Sequence, residues 1–140
     1  MSVEQRLQKA REIPGETEVN CLSLVLFLLG ITSEERYVSP WDSRLEEAAE
    51  VVGTMSATGE ITIPPVANVI GVWHKDMQQY DHYAFIDTPS GLVIERNEYG
   101  AAVRVLSPVE FRSNFHSFMK PYIGPVYEVR YLFVDPDLEW

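Results

Sequence analysis

Cys21, His82, Glu95 and Asn97 are the residues of this 140-residue chain whose types and order could act together on a substrate. Cys21 is the only cysteine, so an internal disulfide and a zinc site made of several thiolates are both excluded within one chain. A lone thiol is either inert packing or a reactive group, and its neighbours decide which. In "DHYAFIDTPSGLVIERN", residues 81–97, a histidine opens one apolar stretch, and a carboxylate and an amide close the next. A thiol within reach of an imidazole, itself oriented by a carboxylate or amide, is what nucleophilic attack on an acyl carbon needs.

The elements must bring these groups together. "HYAFI" and "LVIERN" read as two strands of a hairpin. A four-residue loop, Asp87 to Ser90, would make Ile86 and Gly91 the closing pair and put His82 opposite Glu95. Asn97 then shares their face, because strand side chains alternate. A slip of one residue would separate them. That face also carries Ala84 and Val93, and the apolar helix that follows Cys21 is the expected cover for it.

"ETEVNCLSLVLFLLG" predicts that helix, closed by Gly30, with Cys21 in or near its first turn. A helix N-terminus favours negative charge, as does a neighbouring imidazolium, so both would favour the thiolate. Upstream, Ser2 and Gln5 have capping-box spacing, predicting a helix over residues 3–12 that stops at Pro14-Gly15. Asp42 and Ser43 could cap a third helix, in which Leu45, Ala48, Ala49 and Val52 recur at helical spacing before Gly53. "ITI", "VANVIGVW", "HYAFI", "LVIERN" and "AVRVL" then follow as strand signals at the short intervals of an antiparallel meander. Ser107, Pro108 and Glu110 predict a helix of about three turns, its buried side lined by Phe111, Phe115 and Phe118 and with His116 among them. "VYEVRYLFV" closes the series as a strand. Helices first and a sheet afterwards is an α+β order: N-terminal helices packed on a central antiparallel meander, in one domain spanning residues 1–140.

From about Glu18 to Leu106 the chain resembles the papain-like cysteine peptidases and amidases of the CHAP and NlpC type. The resemblance rests on a cysteine opening an apolar helix ("EVNCLSLVLFLLG"), a strand ("ANVIGVW") before the histidine, a histidine starting the next strand, and "ERN" on the strand after. In the CHAP group a Glu-x-Asn pair at that point supplies the histidine's polar partners, which implies such a role for Glu95 and Asn97. The resemblance also implies a papain-like core and a peptide or amide bond in peptidoglycan as substrate. The chain departs from the pattern at Leu22 and Ser23, where members often carry a small or hydroxyl residue and then an aromatic. It departs again at Ala67-Asn68, in place of a Gly-Asp pair, and at Tyr99, two residues rather than one beyond Asn97. These changes leave the catalytic set intact and the substrate open.

Composition narrows the partners. A formal charge of −10 with no basic cluster makes nucleic acid a poor partner. The N-terminus lacks the apolar stretch of a secretory signal, and the run Leu22 to Leu29 is too short to span a bilayer, so a soluble, cytoplasmic protein without a membrane partner is expected. The lack of a signal and of a wall-binding domain counts against a self-secreted wall enzyme and leaves an exported toxin, a phage product or an intracellular amide hydrolase, with export by a non-signal route open. No glycine-rich phosphate loop is present and no cofactor is expected. Cys21, His82 and Glu95 are metal-ligand types, but no C-x-x-C or H-x-x-x-H pair supports a metal site. His74 and His116 read as structural or surface residues, and Asn20 as a weak candidate for an oxyanion donor beside the Cys21 N–H. A different class stays open: a catalytically silent domain of this fold that binds a protein partner through its groove or acidic surface.

Overall fold

The computed structural model describes residues 1–13, 18–96, 102–116 and 119–140. Asn97, Tyr99 and Phe118 lie outside them. Helix α1 (Val3–Arg11) starts from the capping box of Ser2 and Gln5. Helix α2 (Cys21–Leu29) is almost wholly apolar and buried, and it ends at Gly30, whose φ of +83° is the left-handed conformation that glycine adopts without strain. Arg6 of α1 donates to the carbonyls of Phe27 and Thr32 at 2.9 and 3.1 Å, so a guanidinium satisfies the C-terminal end of α2.

The third helix is cut short. Helix α3 covers only Arg44–Ala48, and Glu50–Thr54 form strand β1 instead of the last helical turn expected through Val52. The sequence "EVVGT" is β-branched with a glycine, and strand β8 (Tyr127–Phe133) offers it an edge to pair with. The strands that follow are β2 (Val69–His74), β3 (Gln79–Asp87), β4 (Leu92–Glu95) and β5 (Arg104–Leu106). "ITI" at 61–63 has no strand of its own. The sheet order is β1-β8-β2-β3-β4-β5, with antiparallel pairing throughout. The meander from β2 to β5 is the expected one, and β8 enters between β1 and β2.

Helix α4 is shorter than expected, Pro108–Arg112, although its cap is the predicted one: Ser107, Pro108 and Glu110 form a capping box with proline in the first turn. Phe111 is buried, but Phe115 is exposed and belongs with His116 to β6 (Phe115–His116), which pairs with β7 (Lys120–Pro121). His116 is therefore a strand residue. Among the described residues, no helix is long and apolar enough to cross a membrane.

The sheet separates two apolar cores. Helix α2 packs on the face carrying Tyr83, Phe85 and Ile94. Ala84, Ile86 and Val93 point the other way, against Phe111 and Tyr122. The expectation that α2 covers Ala84 and Val93 is corrected here: the larger side chains of the strand alternation, not the smaller ones, meet the helix.

Candidate active site

The register of β3 with β4 differs from the expected one. Asp87 pairs with Leu92, Ile86 with Val93 and Phe85 with Ile94, so the turn is residues 88–91, with Gly91 at φ +71°, and the Asp87–Leu92 pair closes it. The Gly91 N–H donates to the Asp87 carbonyl at 2.8 Å. Carried along the strands, this register puts Glu95 beside Ala84 rather than opposite His82. The displacement is two residues, and two residues keep every side chain on its face. Diagonal neighbours lie about 7–8 Å apart at Cα, within reach of a long side chain. The Glu95 carboxylate spans that gap and meets His82 Nε2 at 2.5 Å.

Both groups are buried, His82 at 1% exposure and Glu95 at 0%. Glu95 has two further donors. Arg104, its cross-strand partner on β5, reaches it with Nη2, and the Tyr122 hydroxyl donates to Oε2 at 3.3 Å. The same Arg104 nitrogen donates to Asn114 Oδ1 at 3.1 Å. Burial alone would raise the carboxyl's pKa, but the hydrogen bond and charge of His82, with the charge of Arg104, outweigh it and hold it below the usual carboxylate value. An ionised carboxylate only accepts, so Nε2 of His82 carries a proton. Tyr122 also stacks on the imidazole, with ring centres 5.3 Å apart and planes within 22°. Its burial, with the Glu95 charge beside it, pushes the phenol upward, so it remains a donor.

Cys21 comes to this pair from the N-terminus of α2. The described β3–β4 ladder ends at Phe85–Ile94, and His82 lies beyond it on β3, the strand on which α2 packs. There the half-buried thiol lies close enough to His82 to act on the charge of its ring. Glu95 occupies Nε2, which leaves Nδ1 for the sulfur. Burial penalises the imidazolium, yet the bonds and charges of Cys21 and Glu95 more than offset it and raise the His82 pKa to about 9. The structure thus joins Cys21, His82 and Glu95, while Asn97 falls outside the described residues.

Asn20 caps the helix. Its Oδ1 caps the Ser23 N–H at 2.9 Å and its Nδ2 donates to the Val38 carbonyl at 2.8 Å, so both ends of the amide are engaged. The Cys21 N–H lies outside that cap, at the start of the helix. Among the described residues, no three His, Cys, Asp or Glu side chains gather as a metal-ligating group.

A cleft of about 530 Å³ borders the site, lined among others by Trp41, Tyr80, Asp81 and His116. Asp81 is the extra residue of a β-bulge, since His82 pairs with Val72 and Tyr80 with Trp73. The bulge re-aims the strand: Tyr80 packs with Tyr83 on the α2 side, whereas His82 faces Tyr122. His116 bonds the Asp81 carbonyl through Nε2 at 3.0 Å and lies 6.2 Å, ring to ring, from His82. His74 closes the β2–β3 turn by accepting the Met77 N–H at 3.0 Å.

Sequence alone does not single out Arg104, Tyr122 or the buried ion pair between Glu35 and Arg96. Arg104 had a signal, because a meander that pairs β4 with β5 sets a basic residue against Glu95. Tyr122 and Glu35 come from irregular segments whose periodicity points nowhere. Compared with family models, curated proteins and solved structures, the chain matches none.

Proposed function

We propose that the chain is a thiol hydrolase of peptide or amide bonds, with Cys21 as nucleophile, His82 as acid and base, and Glu95 as the group that orients the imidazole. The observation that carries this reading is a buried imidazole held at Nε2 by a buried carboxylate, with Cys21, at a helix N-terminus, close enough to act on its charge. In the proposed reaction, the thiolate attacks the amide carbonyl and forms the C–S bond. His82 gives its Nδ1 proton to the nitrogen as the C–N bond breaks, and the amine leaves. Water then attacks the thioester, His82 takes its proton, and the acid departs from Cys21. The Cys21 backbone N–H is the proposed donor to the oxyanion.

The order of a cysteine-opened helix, a histidine strand and a glutamate strand supports a papain-like core of the CHAP or NlpC type. On that likeness the proposed substrate is an amide bond in peptidoglycan. Incubation of the protein and its Cys21→Ala variant with peptidoglycan fragments, read by mass spectrometry, tests it. Cleavage by the wild type alone is expected, and products from both or from neither would reject this substrate. The thiol chemistry is tested separately by alkylation: a Cys21 that resists iodoacetamide in the folded protein would overturn the hydrolase reading itself.

A further inference from the structure

Arg96 follows Glu95 directly, so its side chain leaves the opposite face of the chain. There Nε and Nη2 grip the Glu35 carboxylate at 2.7 and 2.9 Å, and Nη2 also donates to the Ala10 carbonyl at the end of α1 at 2.7 Å. Both side chains are buried, at 3% and 0% exposure. The same Glu35 lies 3.4 Å from the hydroxyl of Ser23, in the first turn of α2, where Ser23 and Asn20 form the reciprocal cap beside Cys21. A buried ion pair is seldom retained for stability alone, because desolvation cancels most of its attraction. What it supplies is direction. The apolar side chains of α2 would pack almost as well after a small slide of the helix, whereas a guanidinium fork fixes position and angle.

We infer that Arg96 and Glu35 are positioning residues that set the distance between the thiol of Cys21 and the imidazole of His82. Contacts run from the first turn of α2 through Ser23 to Glu35, across the fork to Arg96, along one peptide unit to Glu95, and from its carboxylate to His82, which meets Cys21. The ring begins and ends at the thiol. Strand β4 is held on both faces at once, so Glu95 cannot shift without moving Arg96. This inference rests on the thiol-hydrolase reading of the site.

The test is the pH profile of Cys21 alkylation by iodoacetamide, measured on the full chain. The wild type is expected to react fast well below pH 8.5, the ordinary free-thiol value, and a His82→Ala variant to lose that advantage. An Arg96→Met/Glu35→Leu double variant removes both charges together and so avoids a lone buried ion. It is expected to unfold cooperatively, yet to react about tenfold or more slowly at pH 6, with its profile moved toward the ordinary thiol. Arg96→Lys, which keeps the charge but not the fork, should fall between the two and serves as the readout if the double variant does not fold. A folded variant with the wild-type profile overturns this inference and leaves the hydrolase reading standing. A wild type with an ordinary profile, insensitive to His82→Ala, overturns both.

Discussion

His82 and Glu95 meet at 2.5 Å across strands whose register puts Glu95 beside Ala84, not opposite the histidine. The carboxylate leans along the strand to reach the ring, and Arg104 and Tyr122 hold it there. A diagonal contact of this kind depends on the length of the glutamate. Glu95→Asp is therefore expected to detach the carboxylate from Nε2 while keeping its charge. It should slow Cys21 alkylation at pH 6–7 by about tenfold or more; equal rates for the two proteins would show that the reach is immaterial.

The raised His82 value, about 9, depends on Cys21 as well as Glu95. Burial opposes the charged ring, so removing the thiol should let the value fall. NMR titration of the His82 ring in wild type and Cys21→Ala should show a lower midpoint in the variant. An unchanged midpoint would mean that the sulfur does not share the proton.

Stability should vary with pH on both sides of a plateau. Glu95 is held below its ordinary value of 4.5, so its contribution is present above that pH and is lost as the pH falls through the folded value. His82 is raised from 6.5 to about 9, so its contribution is fully present below 6.5 and is lost as the pH rises through about 9. Urea unfolding across pH 3–10 should therefore give maximal stability between about 4.5 and 6.5. His82→Ala should flatten the alkaline decline, and a decline of the same depth in that variant would assign it to another group.

Tyr122 makes two separable contributions. Tyr122→Phe keeps the stack on His82 and removes the bond to Glu95, at an expected cost of about 1 kcal/mol. Tyr122→Ala also opens a cavity against Phe111, at about 3–5 kcal/mol. Denaturant unfolding distinguishes them, and equal losses would mean that the ring contributes nothing beyond its hydroxyl.

Gly71 lies where the Tyr80 ring crosses β2, and a Cβ there would run into that ring and touch Leu132. Gly71→Ala should cost about 1–3 kcal/mol and displace Tyr80. Trp73, whose ring centre is 4.7 Å from that of Tyr80, reports the shift as a change in fluorescence. Wild-type stability and emission together would show that the ring yields freely.

Local signals carried much of this fold. Ser2, Asn20 and Ser107 begin helices because their side chains satisfy backbone N–H groups within three residues, and Gly30 ends one because of its φ. Such features are written next to the residues they control. Glu50 to Thr54 escaped because a strand at an edge is decided by its partner, β8, some eighty residues later. The His82–Glu95 contact was foreseen with the wrong register: alternation fixes the face of a side chain but not its opposite number. Glu35, Arg96 and Tyr122 could not be read at all, since their roles come from tertiary contacts between distant segments.

The position of β8 between β1 and β2 has a consequence for how the chain is made. Until residues 127–133 exist, β1 has no neighbour and β2 exposes one row of backbone N–H and C=O groups. The six-stranded sheet cannot close as the chain emerges from the ribosome. It must wait for its last strand to insert between two made earlier, a long-range step expected to limit the folding rate. A chain halted before Tyr127 would leave β1 unpaired and the outer edge of β2 open to pairing with another such chain.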